Sequence, residues 1–125
     1  MERYHIKIGF IKDDIQSLKA FTNNLNSMNW QYTSHCLDNI KYRVIDIEAL
    51  LLYIKDIILN YDNIFEYYKE QNYIIKVCYR IPYLKDIDII LVLNDEKSII
   101  TIYINSSDDE HYTLKENIYN IPLTI

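Results

Sequence analysis

The apolar positions of the chain change period near its middle. At the N-terminus RYHIKIGFIK (residues 3–12) alternates, with Tyr4, Ile6, Ile8 and Phe10 on one side and His5 and Lys7 on the other, which predicts a strand. DDIQSLKAFTNNLNSM then shifts to a helical spacing, aligning Ile15, Leu18, Leu25 and Met28, with Asp13 and Gln16 resembling a capping box. A second helix is predicted over SHCLDNIKYR, with Thr33 or Ser34 as N-cap and Leu37 and Ile40 facing the core. A third follows Asp46 and turns Ile47, Leu50, Leu51, Ile54 and Ile58 inward, with Glu48 suited to the positive end of its dipole.

From residue 63 the period is two. NIFEYYKE, YIIKVCYR, DIDIILVLN and SIITIYIN read as four strands; QN and DEK are short enough for hairpin turns, and IPYLK is a longer link between the middle pair. Helices first and an antiparallel meander after predict one α+β domain over residues 1–125. Its N-terminal strand and about three helices would pack on a four- to five-stranded antiparallel sheet. The tail beyond Ser106, polar at SSDDEH and apolar at IYNIPLTI, would either add an edge strand or wrap the sheet.

Composition narrows the class. One Gly and two Pro in 125 residues leave no room for a Gly-rich phosphate loop or a long structureless linker. The net charge of −5 matters more. Nucleic-acid binders draw most of their affinity from phosphate contacts, so an acidic chain must either avoid nucleic acid or confine its cations to one cleft. Cys36 and Cys78 have no paired spacing and are expected as reduced, buried thiols. Charges interrupt every apolar run, and the start lacks a secretory pattern. A soluble, cytoplasmic protein with no membrane partner is the expectation.

Pleating sorts the strand residues by face. Lys76 and Arg80 share a face with Cys78; Ile87, Ile89, Leu91 and Leu93 face away from Asp88; Ile100, Ile102 and Ile104 face away from Ile99, Thr101, Tyr103 and Asn105. If the polar faces coincide, Lys76, Arg80, Thr101 and Tyr103 form one patch, and His35, at the start of a short helix, could lie over it. That set suits cleavage of RNA. Histidine moves protons near neutral pH, arginine grips a phosphate with two parallel hydrogen bonds, and hydroxyls position the reacting group. The same residues also have ordinary roles as a first-turn helix residue, a helix-end cation and strand-face cover. His5 and His111 have no constellation around them. SSDDEH has the composition of a metal site without rigid ligand spacing, so no metal or other cofactor is expected.

SHCLDNIKYRVIDIEALLLYI, then KVCYR, then DIDIILVLNDEKSIITIYIN resemble the pattern of small toxin-like domains of the barnase/EndoU/colicin/RelE-like ribonuclease superfamily, over about residues 32–105. The shared features are a His at a helix start, an Arg about a helix later, and a hairpin ending in IIT-x-Y. The resemblance implies metal-independent RNA cleavage by 2′-OH attack, with an antitoxin or immunity protein as partner. His35 would be the acid/base and Arg43 a phosphate contact; Thr101 and Tyr103 would be the strand-borne pair, beside substrate-binding Lys76 and Arg80. The chain departs from that pattern in being acidic. On a regular helix Arg43 also stands about 12 Å along the axis and about 80° around it from His35. The rival expectation is a non-catalytic acidic interaction protein, such as an immunity protein, an antitoxin-like neutraliser or a small regulator; a ribonuclease-like relative that binds without cutting is a third.

Overall fold

The structure is a computed structural model. It describes residues 1–26, 31–40, 47–96, 98–109 and 118–122, with the backbone alone at 39, 40 and 47. The fold is α+β, as predicted. Its strands are β1 (Glu2–His5), β2 (Gln31–Tyr32), β3 (Ile64–Glu70), β4 (Tyr73–Leu84), β5 (Ile87–Asn94) and β6 (Ser98–Ser106). Three helices, α1 (Asp14–Asn26), α2 (Ser34–Ile40) and α3 (Ile47–Lys55), precede the meander. The sheet is open and six-stranded, in the order β1-β3-β4-β5-β6-β2, and all its pairings are antiparallel except β2 with β6.

All three helices feed one core. Leu18, Phe21 and Leu25 of α1, Cys36 of α2, and Leu50 and Ile54 of α3 meet Tyr67, Val77, Tyr79, Ile89, Leu91, Leu93, Ile99 and Ile102 on one face of the sheet. Leu50 and Ile54 are fully buried, each worth about 1.5–3 kcal/mol of transfer free energy. Polar ties fix where α1 sits. Thr22 Oγ1 bonds the Leu18 carbonyl at 3.0 Å and the Tyr79 hydroxyl at 2.8 Å, and the Asn26 amide bonds both the N–H and the C=O of Leu59. At the other end Asp14 accepts from Lys69 Nζ at 3.0 Å and from the Tyr67 hydroxyl at 2.7 Å.

Several predicted elements change in extent. β1 stops at His5 because the N–H groups of Ile8 and Gly9 both turn back to the His5 carbonyl, and Gly9 takes φ +124. Ile6 is consequently 52% exposed instead of facing the core. α3 ends at Lys55, which leaves Ile58 outside it and 76% exposed. Among the described side chains of α2 the one that enters the core is Cys36, with Leu37 half-buried; that of Ile40 lies outside the described ones. Thr33 is the cap, its Oγ1 accepting from the Cys36 N–H at 3.1 Å. β4 runs on through Pro82 to Leu84, so the predicted IPYLK link is mostly strand. Gln71 and Asn72, at φ 51 and 68, form the two-residue turn that antiparallel twist favours. A register shift opposite Val92 and Leu93 moves Ile99 into the helix-side core and Ile100 to the opposite face, against the simple alternation expected of β6. Both cysteines are buried and free, as expected.

Candidate functional site

The face of the sheet away from the helices gathers four of the candidate residues, Lys76, Arg80, Thr101 and Tyr103. Its apolar centre is a second cluster of Phe65, Cys78, Ile90 and Val92, with Tyr68, Ile100 and Tyr103 packed against it. Around that centre the register draws rows across the strands. One row is Arg3, Tyr68, Lys76 and Asn94; the next is His5, Glu66, Cys78, Val92 and Thr101; a third is Arg80, Ile90 and Tyr103. Lys76, Arg80, Thr101 and Tyr103 therefore do share one face. Adjacent strands are about 4.8 Å apart, so Arg80 and Tyr103 stand about 10 Å from one another.

His35 belongs to α2, which packs on the other face of the sheet. α2 inserts Cys36 into the core there, and His35 itself is exposed. Its helix is tethered to β6, where the Thr33 N–H donates to the Ile99 carbonyl at 3.1 Å. His35 and Thr101 are each two residues from that bond, within about 7 Å of chain on either side. Arg43 lies outside the described residues.

The cations of this face are set on aromatic rings. The Arg3 guanidinium lies 4.9 Å from the Tyr68 ring and 4.7 Å from the Tyr119 ring, Lys76 Nζ 4.7 Å from Tyr68, and the Arg80 guanidinium 5.5 Å from Phe65. Two of the three are also ion-paired. Arg80 bonds Asp88 at 3.0 Å and the carbonyls of Ser106 and Asp109, while the Ser107 hydroxyl donates to the other Asp88 oxygen at 3.0 Å. SSDD is thus a clamp on Arg80 and Asp88. Glu110 and His111 lie outside the described residues, and no metal-holding group of His, Cys, Asp or Glu occurs among the described ones.

Arg3 pairs with Glu66 at 3.1 Å, and Glu66 is the hub that sequence reading missed. Its carboxylate is 2% exposed and also accepts from the Tyr68 hydroxyl at 2.8 Å and from the Tyr119 hydroxyl. Burial and this carboxylate raise the pKa of the Tyr68 and Tyr119 phenols and of the Cys78 thiol, 3.9 Å away, so all three stay protonated. Burial disfavours charge on Arg3, but Glu66, Tyr68 and Tyr119 outweigh it, and its pKa rises. His5, expected to stand alone, is 1% exposed in this cluster, edge-on to Phe65 at 5.7 Å and to Tyr119 at 5.3 Å. The only local signal was a lone acid among apolar residues in IFEYY; of its partners Tyr68 is two residues away, but Arg3 and Tyr119 lie far off in sequence.

Elsewhere, an open cavity of about 420 Å³ lies between α1 and residues 59–62, beside Lys19, Tyr61 and Asp62, and contains none of the predicted site residues. No described helix is long and apolar enough to cross a membrane. Comparison of the chain with protein-family models, with curated proteins and with solved structures finds no match.

Proposed function

We propose that the protein is a toxin-type endoribonuclease whose RNA site runs along β6 and over the sheet face opposite α1, α2 and α3. The observation that carries this reading is the gathering of Arg3, Lys76 and Arg80, interleaved with Tyr68, Phe65 and Tyr119, on one face of a chain whose net charge is −5. A cationic surface laced with rings is what single-stranded nucleic acid binds, through phosphates and stacked bases. In the reaction His35 exchanges protons with the ribose 2′-OH or the leaving oxygen. The 2′ oxygen attacks phosphorus, the P–O5′ bond breaks, and a proton goes to the departing 5′ oxygen. The products are a 2′,3′-cyclic phosphate and a 5′-hydroxyl. Thr101 and Tyr103 hold the phosphate from the strand, with Lys76, Arg80 and Arg43 as its cations. An antitoxin or immunity protein is the partner this reading implies.

A second reading, a non-catalytic acidic interaction protein, is favoured by one specific fact: Arg80 is held by Asp88 and two carbonyls rather than offered to a ligand. One experiment separates them. Purified protein and its His35→Ala and Thr101→Val variants are incubated with single-stranded RNA in EDTA, and the product ends are analysed. Cleavage to cyclic-phosphate ends by the parent, reduced about 100-fold or more in His35→Ala, is the expected result for a lost general acid–base group. Intact RNA with all three proteins would leave the interaction protein standing.

A further inference from the structure

Tyr119 is 6% exposed, yet it comes from a segment without regular structure whose neighbours are exposed, Ile118 at 36% and Ile121 at 76%. The segment is fastened to the edge of β1. The Asn120 N–H donates to the Arg3 carbonyl at 2.7 Å, the Arg3 N–H donates to Asn120 Oδ1 at 2.8 Å, and Pro122 lies beside Gly9. Only the tyrosine ring enters the sheet face. One wall of its slot is the Arg3 guanidinium, 4.7 Å from the ring centroid, and another is the edge-on His5 ring at 5.3 Å. At the end of the slot lies the Glu66 carboxylate, which accepts the hydrogen bond that the Tyr119 hydroxyl donates.

A flat cationic wall, an aromatic wall and a terminal carboxylate suit any planar ring that carries a donor on its rim. A phosphate is repelled by that carboxylate; a nucleobase, with N–H groups on its pairing edge, is not. Beside the slot Tyr68 lies between Arg3 and Lys76, and among the described residues Lys76 makes no ion pair. A base entering the slot would bring its phosphate toward that cation. We infer that Tyr119 is an internal occupant of a nucleobase slot, and that the segment Ile118–Pro122 swings aside to admit a base of the RNA. The inference rests on the ribonuclease reading for its choice of ligand. Glu66 and Thr101 share a row three strand spacings apart, about 14 Å, so the slot receives a base flanking the cleaved position.

The test needs no catalysis. The full chain and its Tyr119→Ala variant are titrated calorimetrically with GMP, AMP, CMP and UMP. A site that is open only part of the time loses affinity in proportion, so removing the occupant is expected to tighten binding of at least one nucleotide about tenfold or more. Adding Glu66→Gln to that variant should reverse the gain. Folded Tyr119→Ala that binds all four no better than the parent overturns the inference. Where Tyr119→Ala fails to fold, the exposed Asn120→Ala, which removes one strap bond, decides: a several-fold gain supports the slot and an unchanged affinity overturns it. Tightened nucleotide binding without RNA cleavage would keep the slot and sink the enzyme; cleavage without tightening would do the reverse.

Discussion

Removing the Asp14 carboxylate should be among the most damaging single changes on the helix side. Asp14 is the first residue of α1, and its oxygens take Lys69 Nζ at 3.0 Å and the Tyr67 hydroxyl at 2.7 Å. Both members of the ion pair have side chains 11% exposed. At an effective dielectric of 20, charges 3.0 Å apart attract by about 5–6 kcal/mol before desolvation is subtracted. In Asp14→Ala the lysine keeps its desolvation cost and loses that attraction, and the Tyr67 phenol, which burial and Asp14 hold firmly protonated, loses its acceptor. Breaking a buried pair from one side costs about 3–5 kcal/mol, a large share of the roughly 5–15 kcal/mol that holds a domain folded. The helix also loses its N-terminal acid, worth about 0.3–1 kcal/mol. Urea unfolding of the parent, Asp14→Ala, Lys69→Met and the double variant measures this directly. The double variant should recover half or more of the loss, because it removes the stranded charge. A single-variant loss under about 1 kcal/mol, or a double variant no better than Asp14→Ala, would show that the pair is not buried as argued.

Gly9→Ala should cost about 1–3 kcal/mol in the same assay, from backbone strain at φ +124. The added carbon would meet Pro122 at an ordinary 3.5 Å, so Pro122→Ala should not rescue it; rescue would mean that a clash governs instead. Cys78 should react with a disulfide reagent at pH 8 far more slowly than a free thiol, since burial and Glu66 both raise its pKa. Prompt reaction of the folded protein would contradict that environment.

How much of this was legible in the chain depended on how local each cause was. Alternation in β4 and β5 was enough to separate Val77, Tyr79, Leu91 and Leu93 from Lys76, Cys78 and Arg80, because pleating follows from neighbouring residues alone. The helical spacing of Leu50 and Ile54 worked for the same reason. Failures came where a distant contact or one backbone angle overrode the pattern. Gly9 ended a strand that alternation would have continued, and one register shift turned Ile99 to the face opposite the one its spacing gave. β2 has two residues and exists only because it finds β6, so no periodicity could announce it. Of the candidate site, the shared face of Lys76, Arg80, Thr101 and Tyr103 could be read. The Glu66 hub could not, since Arg3 and Tyr119, which complete it beside Tyr68, lie 63 and 53 residues away in sequence.

The two faces of the sheet handle charge differently, and this bears on how an acidic chain could hold RNA. On the helix side Asp14 and Lys69 cancel one another inside the core. On the opposite side Arg3 and Arg80 are each pinned by a buried carboxylate while lying on an aromatic ring. Each pair is neutral as a unit, so the face does not project the strong positive field of a typical RNA binder, and Lys76 is its one cation without an ion pair among the described residues. Repulsion from the remaining negative charge is screened beyond about 8–10 Å at physiological salt. The rings within reach of a strand of RNA there are Tyr68 and Tyr103, each half-buried, while Phe65 and Tyr119 are 6% exposed beneath their cations. Stacking gives about 1–3 kcal/mol per base and tolerates a weak electrostatic contribution. On the proposed reading this face selects unpaired bases first and phosphates second, because duplex RNA hides the flat surfaces that these rings can use.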